Sequence, residues 1–433
     1  DGAVTFQAPL DSTGVPGFFE TVGGREFVFD PKCTYDHLSG RFIIIALEVY
    51  GTTQSFIDIA ISDDSDPNGV WHRYRTNSVI GTTDGMTFWA DFPSLAFDEE
   101  AVYVVSNLFG LNNPNFGGTI FRTFPKASLM AGDPVMFIDM REPFAISLQA
   151  AESFGANAAP YFVSIASNTR IQLDALIDPL GTPTLQRTTV DVPAFAYPTG
   201  LSPTPGGNLG TLDGRVMNAT ARDGSLFTAH AILASGRLQV RWYEIDTRGW
   251  PHGSASPTLT QSGAIDLSPS LHTIFPAIHQ NRHGDIGLVM GSTSATTNPR
   301  LYVTGRRAAD APGATAPPTL VVTSLTAEPG RWGDYFDITT DPTDDATFWY
   351  VGQHHAGGWR TQIGSFVVTC AADVNADATL DASDFLDFIE AFGACEGQPG
   401  PCVFGGIDAD FNEDTLVDIL DFLEFLDAFG SGC

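Results

Sequence analysis

Apolar and polar residues alternate along this chain in short runs that return at a near-constant interval. Apolar cores centred on Ile44, Val104, Val163, Phe227, Leu288 and Trp349 lie 60, 59, 64, 61 and 61 residues apart. A period of two within each core predicts strands. In the clearest copies a six-residue strand stands ahead of the core and ends on a turn acid or amide: Pro31 to Asp36, Pro93 to Asp98, Pro276 to Asn281 and Phe336 to Asp341. A third alternating strand follows the core, as in SFIDIAIS from Ser55, TIFRTF from Thr119, RLQVRWYEI from Arg237 and WRTQIGSFVV from Trp359. Most copies add a fourth, such as VWHRYR from Val70 or TLVVTS from Thr319.

A unit of four antiparallel strands repeated radially is the pattern of a β-propeller, which closes on itself and so leaves no long exposed edge. Six copies predict a mainly β, six-bladed propeller over residues 1–369. The sixth copy stops after three strands at Val368, and the N-terminal run AVTFQA from Ala3 is expected to complete it and lock the ring. The 44 Gly and 28 Pro are scattered along the chain, as many short strands joined by turns require.

From Cys370 the pattern changes to one motif written twice, 37 residues apart: DVNADATLDASDFLDFIEAFG from Asp373 and DFNEDTLVDILDFLEFLDAFG from Asp410. Apolar residues at helical spacing follow each loop: Phe385, Leu386, Phe388, Ile389 and Phe392, then Phe422, Leu423, Phe425, Leu426 and Phe429. Gly393 and Gly430 stand where left-handed helix caps are expected. Oxygen-bearing residues occupy positions 1, 3, 5, 7, 9 and 12 of both loops, the arrangement by which a 12-residue loop wraps calcium. In the first they are Asp373, Asn375, Asp377, Thr379 through its carbonyl, Asp381 and Asp384. In the second they are Asp410, Asn412, Asp414, Leu416 through its carbonyl, Asp418 and Asp421. Two calcium ions are thus expected in a small helical module, residues 370–433, whose folding the metal should drive. Ala378 and Thr415 fill position 6, where glycine normally makes the sharp turn, at an expected cost of about 1 kcal/mol.

Charge sharpens this division. The chain carries 51 acidic and 21 basic residues, and residues 371–433 hold 15 of the acids with no Lys or Arg. A net charge of −30 excludes nucleic acid and anionic membrane as partners, and no apolar run reaches the length of a membrane span. The chain opens at Asp1 and reads as an already processed, secreted or surface-attached product. Four of five cysteines frame the tail, which fits disulfides in an oxidising compartment.

The tail resembles a type I dockerin, and more closely the dockerin variant that ends certain secreted bacterial proteins in Gly-Cys. That resemblance implies a protein partner read by loop positions 10 and 11, here Ala382, Ser383, Ile419 and Leu420. It also implies two antiparallel halves with adjoining ends, from which the pairs Cys370–Cys433 and Cys395–Cys402 are expected, with Cys33 a buried thiol. Residues 1–369 resemble secreted bacterial propellers related to sialidase-like and BNR-repeat folds, through SDPNGVW (Ser65 to Trp71), DFPSLAFD (Asp91 to Asp98) and RWGDYFDITTDP (Arg331 to Pro342).

Two function classes follow. In one, the propeller is a structural or ligand-binding head fixed to a surface, a matrix or another copy of the chain by its tail. In the other it is a polysaccharide-degrading enzyme, glycoside hydrolase or sialidase-like, borne on a dockerin. Two Trp-x-Asp-aromatic runs supply the acids for the second class: Trp89, Asp91, Phe92 and Trp332, Asp334, Tyr335, the latter with Arg331 beside it. Such acids more often anchor loops to neighbouring backbone amides. Acids and aromatics at the channel mouth would favour the enzyme, and a plugged channel the binding head.

Overall fold

A computed structural model describes residues 5, 7–327, 330–368, 370, 372–375, 380–412 and 414–431. Every strand core expected from the 60-residue interval becomes the second strand of an antiparallel meander. The first meander is Val28–Asp36, Arg41–Tyr50, Gln54–Ser62 and Trp71–Asn77. The second runs through Thr87–Phe97, Ala101–Gly110, Phe116–Pro125 and Ile138–Glu142. The third and fourth, opening on Gln149–Phe154 and Asn218–Arg222, join into one eight-stranded sheet because these two first strands pair in parallel, Ala151 opposite Ala219. The fifth opens on His272–Gln280, and the sixth is Asp337–Thr340, Phe348–His355 and Trp359–Phe366.

The curled, propeller-like sheets stack face to face, so a middle strand is buried on both sides and reads as continuous apolar sequence rather than strict alternation. Arg41–Tyr50 shows this: Ile43, Ile45 and Leu47 pack toward Leu95, Phe97 and Val104 of the second meander, while Ala46 on the opposite face lies under Phe18 and Phe19. Similar clusters join the second meander to the third, the third to the fourth, the fourth to the fifth and the fifth to the sixth.

The expected N-terminal strand AVTFQA falls largely outside the described residues, at Ala3, Val4 and Phe6; Thr5, Gln7 and Ala8 are irregular, and the Thr5 hydroxyl donates to Asn68 of the first meander at 2.9 Å. Farther along, Leu10, Phe18, Phe19 and Val22 spend their apolar surface on Ala46, Ala60 and Trp71 of that meander. Among the described residues the sixth sheet has three strands.

In the tail, helices Ala382–Cys395 and Ile419–Ser431 meet through stacked Phe388 and Phe425, with ring centroids 4.0 Å apart. The apolar stripes are narrower than their sequence suggested, because Leu386, Ile389 and Leu423 are exposed. Gly393 is not a cap: its helix continues to Cys395, a buried residue disulfide-bonded to Cys402 as expected, so packing carries the chain past the glycine. Gly430 likewise lies inside its helix. The other expected pair includes Cys433, outside the described residues. Among the described residues no helix is long and apolar enough to cross a membrane.

Candidate functional site

Three first strands share a kink. Asp30, Phe92 and Phe275 each precede a proline and have φ of +49°, +52° and +50°. The ladders shift register at the same points, between Phe29 and Lys32, Asp91 and Ser94, and Ile274 and Ala277. Proline has no N–H to give a ladder, and a bulge leaves its position unpaired while turning the preceding residue away from the strand line. A left-handed non-glycine residue costs about 1–2 kcal/mol, and such outliers gather at ligand sites.

Two of the kinks bring acids together. Asp30 Oδ2 accepts the Phe92 N–H at 3.3 Å, and the Asp30 charge acts on both the Asp91 carboxyl and the Tyr335 hydroxyl. Burial and then the Asp30 charge push the Asp91 carboxyl up to about 6. The same two causes raise the Tyr335 phenol far above its ordinary range. The Phe92 and Tyr335 rings stand 6.1 Å apart, and the Arg215 guanidinium lies 4.6 Å over Phe92. An open row of rings leads away from this cluster: Phe29 to Trp89 at 6.0 Å, Trp89 to Phe109 at 6.0 Å, Phe109 to Phe116 at 5.5 Å.

Of the acids proposed from sequence, Asp91 therefore sits in the cluster, whereas Asp334 is bound by the exposed Arg331, Nε to Oδ2 at 3.2 Å. Trp332 is core, packed on Phe275 and Phe336, and does not line the mouth. Asp30 and Arg215 escaped sequence reasoning. The only signal for Asp30 was the proline after it.

Below the mouth, first strands of all six meanders line one central cavity of about 20 Å³, room for roughly a single water. Lys32 Nζ and Asp337 Oδ2 pair across it at 3.0 Å, and the Thr34 hydroxyl donates to Glu152 at 2.6 Å. The channel is filled by side chains.

The tail loops form a second candidate. In the second loop Asp410 accepts the N–H groups of Asp414 and Thr415 at 3.1 and 3.0 Å, and Asn412 accepts that of Asp414 at 2.9 Å. Asp421 accepts those of Asn412 and Asp418 at 3.0 and 2.8 Å. Thr415, at position 6, takes φ +76°, the left-handed turn that glycine usually supplies there. Asp414, Leu416 and Asp418 stand on the same turn, with Asp418 capping the helix through the Leu420 N–H at 2.7 Å. In the first loop Asp384 accepts from Asn375 and Asp381 in the matching way, and Asp381 with Asp384 forms a capping box. Asp377 and Thr379 lie outside the described residues. Among the described residues no three His, Cys, Asp or Glu side chains already converge on a metal-sized point. Ala382 and Ser383 are exposed, as are Ile419 and Leu420 at 58% and 53%.

No protein-family model matches the chain, and no curated protein matches it in sequence. Solved structures of similar shape include NanB sialidase of Streptococcus pneumoniae, 9% identical, TM-score 0.44, over 76% of this chain and 66% of that one. Trypanosoma rangeli sialidase is 9% identical with TM-score 0.40 over 86% of this chain, which spans 59% of that protein's length. An α-L-arabinanase of Penicillium chrysogenum is 9% identical with TM-score 0.35 over 78% and 77% of the two chains. At such identities no residue here takes a role from them.

Burial and the neighbouring Asp30 charge favour a proton on Asp91, so the mouth offers hydroxyl groups an acid that can donate as well as accept.

Proposed function

We propose that this is a secreted, calcium-dependent attachment protein, a six-bladed β-propeller head (residues 1–369) carried on a dockerin-like module (residues 370–433). One observation carries the reading. Asp373, Asp384, Asp410 and Asp421 are 9%, 0%, 6% and 0% exposed in a segment without Lys or Arg. Carboxylates withdrawn from water need positive charge, and an all-oxygen donor set suits calcium rather than a softer metal. Asp373, Asn375, Asp381 and Asp384 would serve one ion, together with Asp377 and Thr379. Asp410, Asn412, Asp414, Leu416, Asp418 and Asp421 would serve the other. Calcium, when bound, supplies the charge that lets the loops close and the helices bury Phe388 and Phe425. The Cys395–Cys402 disulfide supports an oxidising, extracellular setting.

The partner surface is the apolar strip Ile419, Leu420 and Leu423, with Leu386 on the neighbouring helix. Its occupant is a protein, and a neighbouring copy of the chain is the version we put to test. A tail docked on a different patch of the next subunit gives open assemblies rather than a closed dimer. Light scattering on the full chain at millimolar calcium is expected to show oligomers that dissolve on chelation and in the double variant Ile419→Asp, Leu420→Asp. A monomer under all these conditions refutes self-assembly and leaves a separate receptor as the partner.

The head has its own reading: a site for neutral saccharide, with the Asp30–Asp91–Tyr335 cluster bonding hydroxyls and the Trp89–Phe109–Phe116 row stacking on sugar rings. Glycan-array binding that survives Asp91→Asn and is lost in Trp89→Ala supports binding. Release of reducing sugar, abolished by Asp91→Asn, would instead make the head a polysaccharide-degrading enzyme.

A further inference from the structure

The sixth and first meanders meet unlike the other neighbours. Elsewhere successive sheets bury apolar faces on one another. Here the first meander's face is taken by Phe18 and Phe19, and the facing residues of the sixth sheet, Trp349 and Ile363, remain 41% and 63% exposed. Between the two lies a crevice of about 170 Å³ walled by Ile338, Trp349, Tyr350, Val351 and Ile363. Its inner end is formed by Cys33, Thr34, Glu152 and Asp337, which also line the central cavity, so the crevice opens inward onto the first strands. This seam is also why Cys33, free as expected, is exposed rather than buried.

Charge at the inner end is unbalanced. Lys32 serves Asp337 at 3.0 Å. Glu152 has the Thr34 hydroxyl at 2.6 Å and His279 Nε2 at 3.8 Å, and burial, with Arg222 nearby, pushes that imidazole down to about 3, so it is neutral. Burial and then the Asp337 charge push the Glu152 carboxyl up to about 7, and Lys32, already paired with Asp337, offsets this only in part, so the acid at the end of this aromatic-walled slot is short of positive charge. We propose that this seam binds a small organic ammonium, its nitrogen against Glu152 and Thr34 and its flat apolar body between Trp349 and Ile363. A charge-assisted hydrogen bond fixes the head, and ring contact with Trp349 selects the body.

Calorimetric titration of the full chain with phenethylammonium, and with phenethyl alcohol as its neutral counterpart, tests the idea. The ammonium is expected to bind about tenfold or more tightly than the alcohol. Glu152→Gln should erase that preference, and Trp349→Ala should weaken both ligands alike. Should Glu152→Gln not fold, the unaltered protein still decides: its affinity for phenethylammonium must rise between pH 6 and pH 8 as the Glu152 carboxyl ionises, while that for phenethyl alcohol stays constant. Equal affinity for ammonium and alcohol, or an ammonium affinity that ignores pH, overturns the proposal.

Discussion

Replacing Asp421 by Ala isolates the tail's reliance on one buried acid. The carboxylate is fully buried and accepts two backbone N–H groups, from Asn412 at 3.0 Å and Asp418 at 2.8 Å. Its removal leaves two part-buried donors without their acceptor at about 1–3 kcal/mol each, so about 4 kcal/mol in all. A domain of roughly 60 residues holds only about 3–5 kcal/mol in its core, so the variant's tail should be largely unfolded while the strands stay intact. Hydrogen exchange on the full chain reads this directly. Amides of Ala382–Cys395 and Ile419–Ser431 should lose about a thousandfold protection, those of Arg41–Tyr50 none. Asp427→Ala, on the exposed side of the same helix, should change little. Calcium should raise protection in the wild type by mass action, and by less in Asp421→Ala, which keeps only the first loop's donors. Wild-type-like exchange in Asp421→Ala, with calcium and with chelator, would refute the reasoning.

Asp58 lies fully buried beside Glu48, and burial, then the adjoining Glu48 carboxyl, raises its carboxyl from 3.8 to about 9. The folded state therefore holds a proton that the unfolded chain releases, and this contribution to stability declines as pH rises between those two values. Asp58→Asn, neutral throughout, should raise Tm at pH 8 more than at pH 5, and parallel pH profiles would contradict this. Arg122 is 1% exposed and joins the first two meanders, reaching Asp139 at 2.8 and 2.7 Å, Thr76 at 2.8 Å and the Asn77 carbonyl at 2.9 Å. Arg122→Ala should cost about 3–5 kcal/mol by urea unfolding, and an unchanged midpoint would count against the bridge.

The strands were legible because each meander repeats one local problem, a middle strand buried on both faces between two half-buried ones. Regular spacing then located all six second strands. The mouth was less legible, since Asp30, Asp91 and Tyr335 meet only when the first, second and sixth meanders are brought together around the centre. Sequence marked Pro31, Pro93 and Pro276 as strand starts, yet nothing local says that the residue before each turns left-handed. Trp332 and Trp89 occupy matching places in their motifs but different environments, one under Phe275 and Phe336, the other in an open row.

The two tail loops give an internal replicate of one design. In both, the acid at position 12 divides its oxygens between two backbone donors, the N–H of position 3 and the N–H of position 9. The distances are 3.4 and 2.9 Å for Asp384 and 3.0 and 2.8 Å for Asp421. Position 9 is the residue preceding each helix, so the acid that closes the loop also holds the helix start. A carboxylate there favours the positive end of the helix dipole as well. Asp suits both tasks because its short side chain keeps the oxygens within reach of the helix's first turn, and Glu would carry them a methylene farther from the position-9 amide. Loop closure and helix initiation are therefore coupled in each half through the position-12 carboxylate, and a cation bound there would order the helix that follows.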